Sequence, residues 1–262
     1  MTTDLDVVRA LFDAEARRGA RSDGDRSLVE HDGDVVRRVS RGPGWNGVLW
    51  SDLDEDTADA RIAAQIAYFE GREVPEFEWK MYDYDAPADL GARLLAAGFV
   101  PEPPETLMVA RVADIAREVA TPEGVTLVDV TDVEGVDLMM DVHAQAFGEN
   151  RPRIRHALIT QVTQAPETIL AVVAMADGQP VSSARMEITP GASFAGLWGG
   201  GTAPQWRGKG IYRALVAHRA LAAAELGIPY LQVDASSESR PILERLGFGV
   251  LGVTVPYVWV GK

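Results

Sequence analysis

Sixteen residues limit what this chain can fold into more than any others: Leu197-Trp198-Gly199-Gly200-Gly201-Thr202-Ala203-Pro204-Gln205-Trp206-Arg207-Gly208-Lys209-Gly210-Ile211-Tyr212. They set a glycine-rich loop between a segment that reads as a strand, 194–202, and one that reads as a helix, from about 210 to 226. The first N–H groups of a helix have no partner inside it and carry partial positive charge, which makes them a seat for phosphate. Gly208 and Gly210 let the backbone approach a pyrophosphate and take positive φ, and Arg207 and Lys209 add full charges. A Walker A loop would need Ser or Thr after its lysine, and Lys209 is followed by Gly210. A dinucleotide fingerprint counted from Gly208 would need glycine where Arg213 stands. Glycines inside a strand weaken it unless a backbone-like group must come close, so Gly199-Gly200-Gly201 points to such a group or, alternatively, to a bulge beside a packed Trp198.

The rest of the C-terminal half supplies a frame. Strands are predicted at 125–130, 169–176, 181–188, 194–202 and 230–235, with helices at 133–147, 153–162 and 239–246 and an alternating last strand at 250–260 that ends the sheet. Asp177-Gly178 marks a hairpin between two of the strands. The N-terminal half repeats the later part of this order: strand 45–50, helix 56–69, strand 77–82, helix 87–97 ending in Gly98-Phe99, strand 106–112. That pair echoes Gly247-Phe248, so two diverged copies are expected, with domains 1–118 and 119–262.

Composition narrows the function. A net charge of −14 leaves no basic face for nucleic acid, and 25 of the 39 acids precede Val119, so the second half is near balance and tolerates an anionic ligand. With no cysteine, thiolate metal sites and cysteine nucleophiles are excluded. No apolar run approaches the roughly 18 residues that span a bilayer, and an acidic N-terminus is unlike a secretory signal. The expectation is a cytoplasmic protein without metal, membrane or nucleic-acid partners; oligomeric state is not legible.

The loop Gln205-x-x-Gly208-x-Gly210, the strand before it, the long helix after it and the ending Arg245-Leu246-Gly247-Phe248 resemble the GNAT acyltransferase superfamily. The resemblance implies an α/β (α+β) fold of two tandem GNAT-like domains, each a mixed, mostly antiparallel sheet flanked by helices. It implies acetyl-CoA as co-substrate and direct acetyl transfer to an amine of a small molecule. Gly200, Gly201 and Thr202 would face the pantetheine arm, and Gln205, Trp206, Arg207, Gly208, Lys209, Gly210, Ile211 and Tyr212 the phosphates. In the N-terminal half the cradle position is the acidic run Asp52 to Asp56, which would repel a pyrophosphate, so that copy is read as degenerate.

Amine acetylation needs a neutral amine, a polarised thioester carbonyl and a proton for the leaving thiolate. Glu187 and Asp234 are the candidate bases, each with a plain structural carboxylate as the alternative; His143 is a further helix residue near where family substrates lie. The family often carries a tyrosine as proton donor where this chain has Leu243, and an asparagine where it has Ser236. Tyr212, Tyr257 or a water held by Ser236 or Ser239 could take the donor's place. Two rivals stay open: a non-catalytic acyl-CoA-binding sensor or partner module, and an enzyme acetylating an aminoglycoside-like polycation in an acidic cleft.

Overall fold

The structure, a computed structural model, describes residues 4–22, 26–42, 44–116, 119–148 and 152–261. In chain order its first elements are α1 (Leu5–Phe12), β1 (Ser27–Asp32), β2 (Val35–Ser40), β3 (Gly47–Ser51), α2 (Ala58–Glu70), β4 (Glu76–Tyr82), α3 (Leu90–Ala96), β5 (Val100–Pro101) and β6 (Glu105–Arg111). There follow β7 (Val125–Val130), α4 (Val133–Phe147), α5 (Pro152–Gln164), β8 (Ile169–Ala176), β9 (Gln179–Ile188) and β10 (Phe194–Thr202). The last are α6 (Ile211–Glu225), β11 (Tyr230–Ala235), α7 (Arg240–Arg245) and β12 (Gly249–Val260).

Two compact units divide the chain: residues up to Leu107 with those from Val250 on, and Met108–Gly249. The expected cut at 118 lies outside the described residues. The final strand, expected to end the sheet of the C-terminal half, instead pairs antiparallel with β4 from Thr254↔Tyr82 to Val260↔Glu76, so the second domain drawn as 119–262 gives up its last strand to the first unit.

In the first unit β1–β2 and β2–β3 are antiparallel, and β3–β4 is parallel with α2 as its crossover. Gly33-Asp34 turns the first hairpin, with Gly33 at φ +63. Ile62 and Phe69 of α2 pack against Phe77 and Trp79 of β4 and against Tyr257 and Trp259 of β12. The Phe69 and Phe77 rings stack at 4.2 Å, and Trp259 lies 5.5 Å from Phe77.

The second unit runs β7–β8–β9–β10 antiparallel, then β10–β11 parallel with α6 as the crossover. Its helices take opposite faces of this sheet because successive strand residues alternate. Val136, Met139 and Met140 of α4 and Leu158 and Val162 of α5 pack on Ile169, Ala171 and Val173. Ile211 and Leu215 of α6 pack on Val172, Ala174 and Ala184. Asp132 caps α4 by accepting from Gly135 N at 2.8 Å, and Gly148 at φ +74 ends it.

Because β12 carries core aromatics of the first unit, Trp259→Ala should cost about 3–5 kcal/mol of that unit's stability, read by chemical denaturation; an unchanged midpoint would put the core elsewhere.

Candidate active site

The site is built where β10 leaves its neighbours. Against β9 the register runs Leu197↔Met186 and Trp198↔Arg185, then resumes at Gly201↔Ser183. Three steps on β10 therefore face two on β9, which is a one-residue bulge. Gly199 takes φ +60 there, and a Cβ on it would stand 2.7 Å from the Arg185 guanidinium. Against β11 the parallel pairing covers Phe194↔Tyr230, Ala195↔Leu231 and Gly196↔Gln232 and then ends, although β10 continues to Thr202 and β11 to Ala235. The strands part from Leu197 on.

Side chains line this parting from both faces. A Cβ at Gly200 would meet the Tyr212 ring at 2.9 Å, and one at Gly201 the Phe147 ring at 2.9 Å and Ala146 at 3.1 Å. The buried Ser182 hydroxyl donates to the Gly201 carbonyl at 2.7 Å and lies 2.8 Å from the Thr202 hydroxyl, which fixes the far end of the bulged strand.

One turn at Pro204–Trp206 leads to the helix. Gly208 and Gly210 both take positive φ, +76 and +86, and α6 begins at Gly210 with no side-chain cap. Its first N–H groups are thus left for an anion, and a Cβ at Gly208 would meet nothing within 4 Å. Gln205 and Lys209 are exposed, and Lys209 Nζ sits 4.2 Å from the Trp206 ring centre. Arg207, read from the sequence as a phosphate partner, donates instead to the carbonyls of Thr202 at 3.2 Å and Ala146 at 3.3 Å. It ties the loop to the end of α4.

Of the candidate bases, Glu187 is half-exposed beside Gly196 and accepts from Arg185 Nε at 3.0 Å. Asp234, half-buried on β11, lies two residues beyond the last β10 pairing. The His143 ring lies tilted against that of Phe147, with centroids 4.8 Å apart. Ser236 and Ser239 bond each other at 3.2 Å where α7 begins. Leu243 is fully buried. Tyr257 belongs to the first unit's core.

Sequence reasoning missed Arg219 on α6, 1% exposed. It donates through Nε to Leu215 O and through Nη1 to Arg185 O, both at 3.0 Å. Its Nη2 is buried without a partner among the described residues. Burial pushes this guanidinium down to about 10, with the Tyr212 phenol working against that and Arg185 adding to it. Burial also raises the Tyr212 phenol, and Arg219 opposes the rise. The missed signal is the stripe Ile211, Leu215, Arg219, Ala223, a cation at a core position.

Comparison with known proteins places this arrangement in a family. Residues 136–248 match the acetyltransferase (GNAT) family, and the second unit is a GNAT domain. The chain is similar in fold to a GCN5-related N-acetyltransferase from Kribbella flavida, with a TM-score of 0.68 at 18% identity over 90% of each chain. A tandem GNAT protein from the clavulanic acid biosynthesis pathway is similar at TM-score 0.63 and 13% identity, over 100% of this chain and 89% of that one. A GCN5-related N-acetyltransferase from Sphaerobacter thermophilus is similar at TM-score 0.58 and 16% identity, over 98% and 91%. No curated protein is a significant match to the sequence. Among the described residues no cluster of His, Asp or Glu could hold a metal ion.

Ser182→Ala should leave the Gly201 carbonyl short of a donor and cost about 1–3 kcal/mol; a denaturation midpoint equal to the parent's would show that the bulge does not depend on this bond.

Proposed function

We propose that the second unit transfers the acetyl group of acetyl-CoA directly to an amine of a small molecule. The parting of β10 from β11 after Gly196 and Gln232, running toward the uncapped start of α6, carries this reading. A chain of amides ending in a pyrophosphate suits both parts at once. Strand edges that have left each other can pair with amides, and the α6 N-terminus with Gly208 and Gly210 suits the phosphates. Backbone N–H groups at the bulge would polarise the thioester carbonyl. Glu187, held by Arg185, or Asp234, on the parted edge of β11, would take the amine proton.

The first unit differs at the same topological place. Between β3 and α2 the Asp54 carboxylate accepts from Asp56 N, Thr57 N and the Thr57 hydroxyl, and these bonds, led by those from Thr57, hold its carboxyl below the usual range. An anion of the chain's own stands where a phosphate would bind, so the reading is one acetyl-CoA per chain. The first unit then serves folding or the acceptor.

Leu243, wholly buried, puts no proton donor on α7, which favours a second reading of acyl-CoA binding without turnover. Turnover on a panel of amines, measured beside CoA affinity, separates the two.

Calorimetry should find one acetyl-CoA site, weakened about tenfold or more by Gly208→Glu through charge repulsion. Two equal sites, or unchanged affinity in that variant, would overturn the assignment. Glu187→Gln or Asp234→Asn, whichever removes the base, should lower kcat about 100-fold with acetyl-CoA affinity intact; full activity in both would hand the role to water or the substrate.

A further inference from the structure

One face of the second unit's sheet carries polar side chains beside the place where β10 leaves β11. Met186, Leu197 and Leu231 are buried on the face that α6 covers. The alternate positions, Arg185 and Glu187 on β9, Trp198 on β10 and Gln232 on β11, are part-exposed, and alternation sets them together on the opposite face. Register lines them up: Glu187 pairs with Gly196 and Gly196 with Gln232, and Arg185 pairs with Trp198 two residues along. A Cβ on Gly196 would stand 2.5 Å from Trp198 Nε1 and 2.9 Å from Gln232 Nε2, so both side chains reach over this glycine. Arg185 gives its Nε to Glu187 at 3.0 Å and turns Nη1 to the bulge, 2.7 Å from where a Cβ on Gly199 would be. From α6, Arg219 donates to the Arg185 carbonyl. Two guanidiniums thus converge on one residue of β9, and Glu187 is the carboxylate bonded there. A cation at the bulge works against a cationic acceptor and attracts an anion. A guanidinium with Nε engaged still presents Nη donors in the planar geometry that suits a carboxylate.

We propose that Arg185 binds a carboxylate of the acceptor, and hence that the amine this unit acetylates belongs to an amino acid. The inference rests on the acyl-transfer reading and names the acceptor class that reading leaves open. In an α-amino acid the amine and the carboxylate hang from the same carbon, and Arg185 and Glu187 lie one hydrogen bond apart. The acceptor carboxylate takes the Nη side of Arg185 next to the bulge, and the amine falls beside the Glu187 carboxylate. Trp198 and Gln232, reaching over Gly196, border that place. A polycation would bring its charge against Arg185 at the same point. Arg185 is then a specificity-determining residue: it selects the acceptor and moves no proton. Arg219 serves it through the backbone, fixing the Arg185 carbonyl where the register shifts opposite the bulge.

The test runs free L-amino acids, each against its own primary amide and its decarboxylated amine, at saturating acetyl-CoA. The amide keeps the amine and the side chain and loses the anion. The parent should favour the acids about ten- to hundredfold in kcat/KM, and Arg185→Gln should level acid and amide, mainly through KM. Arg185→Lys should keep part of the preference, since the charge remains without the fork. A parent that prefers amides or polyamines, or an acid preference unchanged in Arg185→Gln, overturns the proposal while leaving acyl transfer standing. Acetyl-CoA affinity by calorimetry should stay within about twofold in Arg185→Gln; a larger loss makes Arg185 a prop for the bulge and overturns the proposal as well. If the parent acetylates no amine, the function reading fails by that result, and a melting test still decides the site. With CoA bound, the acids should raise the melting temperature, their amides should not, and Arg185→Gln should abolish the rise. No rise with any acid, or the same rise in the variant, sinks the proposal there.

Discussion

The requirement that backbone N–H and C=O groups be paired governs this structure, because the second unit breaks it in one place and repairs it everywhere around. β10 runs six residues past its last partner on β11. A strand left so would twist away or fray. Three side chains prevent that, each working on backbone. Ser182 holds the carbonyl of Gly201, Arg207 those of Thr202 and Ala146, and Arg219 that of Arg185. The edge facing β11 is what they leave open. On the proposed reading, this open edge is where an extended amide chain would pair.

The two units show the same crossover with opposite outcomes at its turn. In each, a strand, a helix and a parallel strand follow one another, as β3–α2–β4 and β10–α6–β11. The helix N-terminus between them is attractive to anions in both. In the first unit Asp54 answers it from within the loop. In the second, Gly208 and Gly210 supply two left-handed turns and no acceptor. The two loops thus differ in what they carry just before the helix: a carboxylate bonded within its own turn in one, two glycines in the other.

Much of this was legible in the sequence, for reasons of range. α4, the β8–β9 hairpin with Asp177 and Gly178 both at positive φ, and the strand–loop–helix of the cradle are local patterns. The partner of the last strand was not legible. Alternation marks 250–260 as a strand, but its pairing with β4 joins residues 172 to 184 positions apart, and nothing local encodes that. β1 and β2 escaped because their charges hide the alternation: Arg37 is buried by bonds to Glu30 and Gln65 that the linear sequence does not display. Arg207 was read with the phosphates, and Arg219 drew no reading from the sequence. An arginine in a phosphate loop suggests phosphate, yet Arg207 serves carbonyls. An arginine in a helix suggests solvent, yet Arg219 is in the core.

Arg219 is an energetic misfit in the core of the second unit. Leucine or methionine at this position would continue the stripe of Ile211 and Leu215, and replacing buried charge by apolar volume is often neutral or stabilising. Two carbonyls offset part of the desolvation, and the partnerless Nη2 marks what they leave uncompensated. The first unit offers a contrast. Arg17 is almost as deeply buried, but Asp85 meets it with both carboxylate oxygens at 2.7 and 2.8 Å, and Asp13 adds a third bond. A charge so matched needs no role beyond structure. Arg219 has no such carboxylate among the described residues, only the carbonyls of Leu215 and Arg185.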